Sequence, residues 1–214
     1  MNLTYGATKI DRIVENAEQM LAGYREDSGY RYLLHQPSTP ADSVLLEDLA
    51  VTLLVNSQVG WRAAKAVQDR GPELQLASIR DEPLAEASAD VKGRVAALIA
   101  DVALWPGFGA STATKMLHKK RPNLIPILDN QAIFGAYMNP RWLESKSSQD
   151  TVKGRAAIRE ALEWIATDLV RDENRGVWPT LRALEPELTA IQVFDMVWWQ
   201  FFRYKEPVRP ASPV

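Results

Sequence analysis

Apolar residues recur at every third or fourth position through most of the chain, which is the spacing of one buried face of an α-helix. The segment from Ile10 to Tyr24 follows this pattern closely. Its apolar positions are Ile10, Ile13, Val14, Ala17, Met20, Leu21 and Tyr24. The alternation of apolar and polar residues that is typical of a half-buried strand is nearly absent. The sequence therefore predicts an all-α fold of roughly nine to eleven helices.

The same periodicity predicts the other helices, and two stretches, 34–43 and 138–150, are predicted to be loops. The expected helices cover residues 45–54, 61–69, 91–102, 111–119, 130–138, 153–171 and 190–204. We expect two helical lobes with a cleft between them. Residues 45–138 form the first lobe, and residues 1–44 together with 139–214 form the second.

The composition excludes several kinds of chemistry. The chain has no cysteine, which removes disulfides, thiolate zinc sites, iron–sulfur clusters and cysteine nucleophiles. Its two histidines, His35 and His118, are too far apart in sequence to suggest a metal site. The N-terminal segment lacks the plan of a signal peptide, and no apolar run approaches the ~20 residues needed to span a bilayer. We expect a soluble, cytoplasmic protein.

The net charge argues against nucleic-acid binding, whereas the local distribution of charge is compatible with it. The net charge of −2 argues mildly against a nucleic-acid binder. Residues 115–121, however, carry several basic side chains and no acidic one. These side chains are Lys115, Lys119, Lys120 and Arg121. Such a cluster is either a solvated surface or, because it follows a glycine turn, a place that positions phosphates.

The glycine turn itself lies at about residues 105–111, where Gly107 and Gly109 flank Phe108. Glycine permits positive φ angles and a close approach of the backbone to a ligand. Amides at the start of the following helix would point outward at the positive end of its dipole, where they can bind a phosphate or a monovalent cation that bridges to one. The alternative is a tight connection between two helices with no other role.

The motifs around this turn resemble the helix-hairpin-helix superfamily of DNA glycosylases. That pattern has an L-P-G-V-G-like hairpin, a T-A pair, a leucine and, further along, a P-x-x-D run. The matching residues are Gly107, Gly109, Thr112, Ala113, Leu117, Pro126 and Asp129. Upstream, Gln58 matches the glutamine that wedges into the duplex in relatives, at the end of a helix. The resemblance covers roughly residues 45–138.

The resemblance implies that Asp129 is the catalytic carboxylate. Breaking an N-glycosidic bond builds positive charge on the deoxyribose, and a fixed carboxylate stabilises that charge or orients the attacking water. Aspartate is also a frequent N-cap, and Asp129 precedes a predicted helix. One carboxylate can serve both purposes, so the two interpretations are compatible.

Departures from the family pattern narrow the expected reaction. Bifunctional relatives carry a nucleophilic lysine two residues after the second hairpin glycine, and this position is Ser111 here. Lys115 lies one turn further along the same helical face. The serine and the P-I-L-D run are similar to the adenine-removing branch, whose acidic glutamate would fall near the apolar Val51. The resemblance therefore implies a monofunctional glycosylase without strand-cleaving lyase activity.

The resemblance also implies which residues contact the DNA. Backbone contacts are expected from Gly107, Phe108, Gly109, Ser111, Thr112, Lys115 and Lys119. The base pocket is expected to include Ser111, Trp198, Trp199 and Phe202. These aromatic residues belong to the segment 193–204, which could equally be a helix buried between the lobes. Within it, Asp195 is either the buried partner of an arginine or an acceptor that reads the base. Trp61 lies near the DNA or covers the core.

The expected partner is double-stranded DNA with a modified base. We expect a monomer that needs no cofactor, apart from a monovalent cation that could bind at the hairpin. Two alternatives stay open. The first is a helix-hairpin-helix protein that binds DNA without catalysis. The second is a helical interaction protein that uses its tryptophan-rich helix, in which the glycine turn is only structural.

Overall fold

The computed structural model describes residues 1–6, 8–138 and 154–204, and almost all of the regular structure in these segments is helical. The helices are α1 (Ala17–Arg25), α2 (Ser28–Leu34), α3 (Leu46–Ala50), α4 (Trp61–Arg70), α5 (Ala89–Ala103), α6 (Ala110–His118), the π-helix α7 (Asn130–Tyr137), α8 (Arg155–Val170), α9 (Val177–Leu184) and α10 (Ala190–Tyr204). Short 3₁₀ helices cover Val51–Val55, Gly71–Glu73, Leu76–Ser78 and Asp172–Asn174. The all-α prediction is confirmed for these segments. The loop expected after Met138 lies outside them.

Helices α4 to α8 and α10 occur where the periodicity predicts them, whereas α2 and α9 are missed. Helix α2 has only seven residues, which is too short for a 3.6-residue period to show. Helix α9 contains Pro179 in its first turn. A proline in the first turn is tolerated, because the N–H group that it lacks would have no intrahelical partner. In the sequence, however, a proline indicates the end of a helix, so α9 was missed.

The N-terminal prediction is wrong at its start. Instead of a helix from Ile10, an antiparallel pair of strands, β1 (Leu3–Tyr5) and β2 (Thr8–Ile10), precedes α1. The side chain of Asn174 holds β1 in place, since it accepts a hydrogen bond from Thr4 N and donates one to Thr4 O, both at 2.8 Å. This tie spans 170 residues of sequence. Local periodicity cannot reveal such a long-range contact.

The helix expected at 45–54 is also only partly correct. Helix α3 ends at Ala50, and the chain continues as a 3₁₀ helix that stops at Asn56, whose φ of 56° is left-handed. The change of helix type turns Leu53 outward, where it is 56% exposed. Apolar residues of the predicted core face therefore lie on the surface beside the loop that carries Gln58.

The basic cluster after α6 is buried, contrary to both interpretations of the sequence. Lys119, Lys120 and Arg121 are each only 5% exposed. The Lys119 ammonium donates to the carbonyl oxygens of Tyr32 and Leu33 at 2.7 and 3.1 Å. The Arg121 guanidinium donates to the carbonyls of Ala41, Leu76 and Ile79. The expected phosphate contact by Lys119 is therefore wrong, because its ammonium binds the interior backbone.

Lys120 forms the most deeply buried ion pair among the described residues. Its ammonium lies 2.8 Å from Asp48 Oδ1, and the two side chains are 0% and 1% exposed. Asp48 also accepts hydrogen bonds from Thr39 Oγ1 at 2.6 Å and from Leu45 N at 2.8 Å. Every charged atom of the pair thus has partners, which is the condition for burying such a pair.

Helix α10 packs against α1, α7, α8 and α9, and α5 packs against α6 and α8. The α10 side chains Phe194 and Trp198 join Tyr5, Tyr137 and Trp178 in a buried aromatic cluster with mostly edge-to-face contacts. Part of the aromatic segment therefore belongs to the core. No helix of the described segments is both long and apolar enough to cross a bilayer.

Candidate active site

The connection between α5 and α6 docks onto the first turn of α4. Gly107 has a φ of +82°, and a Cβ atom there would lie 2.9 Å from Ala63 N. Phe108 is half-buried and meets the Trp105 ring edge-on at 5.5 Å. Gly109, Ser111 and Thr112 are half-exposed at the start of α6. The glycine turn is therefore fixed to its neighbours while the following helix start remains accessible.

We expect Gly107→Ala to lower the free energy of unfolding by about 2–3 kcal/mol, because the new side chain needs a left-handed φ and overlaps the α4 backbone. Chemical denaturation measures the loss. Gly93→Ala is the matched control, since Gly93 lies within α5 and a Cβ there meets no atom within 4 Å. That control should gain about 0.5–1 kcal/mol. Equal effects at the two glycines would contradict this account of the turn.

Asp129 is held at the N-terminus of α7. Its Oδ1 accepts hydrogen bonds from Gln131 N at 2.8 Å and Ala132 N at 2.9 Å. Its Oδ2 lies 3.4 Å from Ser111 Oγ. The capping role is thus confirmed, and it orients the carboxylate so that one oxygen remains for another partner. The catalytic role stays a prediction.

Thr114 ties α6 to the segment that leads to Asp129. Its hydroxyl donates to Ala110 O at 2.9 Å and accepts from Leu128 N at 3.0 Å, and the side chain is fully buried. The two bonds set the distance between the glycine turn and Asp129. Sequence reasoning missed this residue, although a threonine on the inner face of a predicted helix is a signal that could have indicated it.

A pocket of about 810 Å³ brings five of the twelve predicted site residues together. It is lined by Lys115, Asp129, Asp195, Trp198, Trp199 and Phe202. Val55, Asn56 and the start of α2 also line it. The α6, α7 and α10 residues converge here from separate parts of the sequence.

Lys115 lies in the pocket wall rather than on the surface. The side chain is 8% exposed, and its ammonium donates to Val55 O at 2.9 Å. Burial lowers the pKa of Lys115, while the negative charges of Asp129 and Asp195 oppose this shift. The expected contact of Lys115 with the DNA backbone stays a prediction.

Asp195 lies on the pocket side of α10 and is only partly exposed. Burial raises the pKa of Asp195 to about 7; the negative charge of Asp129 adds to the shift, and the positive charge of Lys115 opposes it. The charged groups that act on Asp195 are thus Asp129 and Lys115. Arg203 of α10 lines the same pocket, and the arginine partner considered for Asp195 stays a prediction.

The aromatic residues of α10 divide into a buried part and an accessible part. Trp198 is almost fully buried, and its indole N–H donates to Ala132 O at 2.7 Å, so this side chain braces α7. Trp199 and Phe202 are half-buried, with ring centroids 5.8 Å apart and planes tilted by 40°. These two rings are the ones that can stack with a ligand. Ser111 stands beside the pocket, next to Asp129.

Gln58 and Trp61 are exposed at the other side of the Asn56 loop. Trp61 is 73% exposed, which rules out the core-covering role, and the Arg62 guanidinium lies 5.6 Å from the centre of its ring. Beside them, Lys65 and Arg70 of α4 line a smaller pocket with Pro106 of the glycine turn. Sequence reasoning missed these basic residues, of which Lys65 pairs with Asp69, another residue of this pocket.

No group of three or more His, Cys, Asp or Glu side chains in the described segments is arranged to hold a metal ion. The model of one protein family, described as "Family of unknown function (DUF6308)", matches residues 23–201. The matched range contains the glycine turn, Asp129 and Asp195. No curated protein and no solved structure matches the chain.

Proposed function

The chain belongs to the DUF6308 family, whose function is unknown, and we propose that it is a monofunctional DNA glycosylase that hydrolyses the bond between a modified base and its sugar. One observation carries the proposal. A single pocket contains Asp129, oriented by two backbone amides, together with aromatic rings that can stack with a base. The proposal treats α5, the glycine turn and α6 as a helix-hairpin-helix motif.

The reaction that we propose places a flipped base against Trp199 and Phe202, with its sugar at Asp129. An enzyme that acts on a base in a duplex must extrude it, and stacking partners hold the extruded base. When the C1′–N bond breaks, its electron pair leaves with the base and positive charge develops on the sugar. Asp129 Oδ2 stabilises that charge and accepts a proton from the water that attacks C1′.

The DNA contacts in this proposal differ from those expected from the sequence. Backbone amides at the start of α6 bind a phosphate, and Arg62, Lys65 and Arg70 on α4 take the place of the buried Lys119. Gln58 on its exposed loop is the residue that fills the gap left by the flipped base. Because Ser111 has no amine and the Lys115 ammonium is bonded to Val55, we propose hydrolysis without a lyase step.

A second candidate is a helix-hairpin-helix protein that binds DNA without catalysis. The observation that favours it is the cap at α7, since capping alone accounts for an aspartate at position 129. The interaction-protein alternative uses the tryptophan-rich helix α10, in which Trp199 and Phe202 are only half-buried. Experiment separates the three.

To test the proposal, the purified chain is incubated with duplexes that carry oxidised, deaminated or alkylated bases, and alkali-labile abasic sites are detected. We expect one or more duplexes to yield abasic sites, and no strand break without alkali. Duplex affinity is measured over a range of salt concentrations, and we expect it to fall steeply with added salt. Salt-dependent binding without excision would favour the non-catalytic candidate, and the absence of duplex binding would favour the interaction protein.

A further inference from the structure

We propose that Asp195 is the acid that protonates the departing base, and that the substrates are therefore neutral purines rather than cationic, N-alkylated ones. This inference rests on the proposed glycosylase function. It adds a second catalytic carboxyl group and a substrate class to that proposal.

The placement of Asp195 supports this role. Asp195 and Trp199 are four residues apart on α10, so they lie one above the other on the same helical face. Both line the pocket that contains Asp129. A base stacked on Trp199 would have the Asp195 carboxyl group near its edge. Asp129 approaches from a different element, the N-terminus of α7, on the side where the sugar would lie.

The two carboxyl groups have opposite environments. Asp129 accepts two backbone N–H hydrogen bonds, which suits an ionised carboxylate. Asp195 is partly buried, and the charges that shift its pKa are those of the Asp129 carboxylate and the Lys115 ammonium. The buried hydroxyls of Tyr5, Tyr24 and Tyr32 also interact with it, and burial raises their pKa values further above neutral. Glu26, Asp27 and Arg203 line the same pocket. Paired carboxyl groups in contrasting environments are the usual arrangement of a base and an acid.

The protonation state of Asp195 agrees with its placement. Its pKa is raised to about 7, so the carboxyl group carries a proton below that pH and loses it above. The proton moves from Asp195 Oδ to a ring nitrogen of the base as the C1′–N bond breaks, and the bond electrons stay with the base. Water supplies the oxygen that bonds to C1′, and its released proton passes through Asp129 to solvent, from which Asp195 is reprotonated.

Acid assistance matters for some bases only. A neutral purine is a poor leaving group until a ring nitrogen is protonated, whereas a base alkylated on a ring nitrogen already carries the positive charge that protonation would supply. The pocket therefore suits neutral purines, such as oxidised or deaminated ones.

The test compares the parent chain with Asp195→Asn on two duplexes, one with a neutral purine lesion and one with cationic 7-methylguanine. Single-turnover excision is measured across the neutral pH range. For the parent, the rate on the neutral purine should fall about tenfold per pH unit above about pH 7. Asp195→Asn should lose about 10²-fold on that purine and lose this pH dependence, with no comparable loss on 7-methylguanine.

Controls separate a structural effect from the acid role. Asp101→Asn makes the same carboxyl-to-amide change at an exposed position of α5 and should leave rate and pH profile unchanged. Asp195→Glu keeps an acid and should recover part of the rate, and thermal unfolding verifies that each variant is folded. If Asp195→Asn retains the parent's rate and pH profile, or if 7-methylguanine is the preferred substrate, the acid role is wrong while the glycosylase proposal stands. If the parent releases only a pyrimidine from the wider panel of duplexes, the purine inference is wrong while the glycosylase proposal stands, and if it releases no base from that panel, both proposals fail.

Discussion

Asp129→Asn should lower the rate of base excision by about 10³-fold and leave the stability of the protein almost unchanged. Asparagine presents the same oxygen to the amides of Gln131 and Ala132, so the cap on α7 is kept. What is lost is the negative charge that we propose acts on the sugar. Single-turnover excision gives the rate, and thermal unfolding gives the stability.

Two further variants, one at Asp129 and one at Ser111, separate the effect of the Asp129 negative charge from its role as the N-cap of α7. Asp129→Ala should lose the same activity and, in addition, about 1 kcal/mol of stability, because the two α7 amides lose their acceptor. Ser111→Ala should have a small effect, since its hydroxyl lies 3.4 Å from Asp129 Oδ2 and forms at most a weak hydrogen bond. An Asp129→Asn variant as active as the parent would remove the catalytic role of this residue and leave only the cap.

Asp48→Asn should lower the free energy of unfolding by about 3–5 kcal/mol and the Tm by on the order of 10 °C. The change leaves the Lys120 ammonium in the interior without its negative partner, at a place where neither side chain is more than 1% exposed. The energetic loss comes from the uncompensated charge more than from the lost attraction.

A surface ion pair of similar geometry provides the control. Lys65 and Asp69 approach within 2.9 Å, but their side chains are 64% and 50% exposed. Asp69→Asn should therefore change the stability by less than about 0.5 kcal/mol. Denaturant titrations of the two variants compare nearly equal distances at very different burial. Similar losses would show that burial does not control the strength of the Asp48–Lys120 pair.

The sequence predicted those parts of the fold that depend on local periodicity. Helices α5 and α6 occur at the expected places because their apolar residues face one side, and Gly107 is at the turn because only glycine adopts its backbone conformation without strain. The N-terminal strands escaped prediction because Ile10 and Ile13 are buried in either conformation. A contact with Asn174 favours the strand, and it is invisible to a local pattern.

The sequence predicted several residues that line the candidate site, but not the direction in which their side chains face. The sequence placed Asp129, Trp199 and Phe202 in one site, and the structure lines one pocket with them. It could not show whether a lysine faces water or the interior. Lys119 is buried because free carbonyl groups of α2 lie within its reach, and this depends on packing between elements rather than on spacing. For the same reason, the sequence did not reveal that Arg62, Lys65 and Arg70 of α4 are accessible.

The buried cations that follow α6 limit where the chain can be cut to obtain a folded fragment. Lys119 binds backbone of residues 32–33, Lys120 binds Thr39 and Asp48, and Arg121 binds backbone between residues 41 and 79. A fragment cut at the sequence-based boundary of 45 would keep these cations and lose many of their acceptors. A fragment that contains the glycine turn and Asp129 should therefore also include the residues from α2 onward that accept these hydrogen bonds.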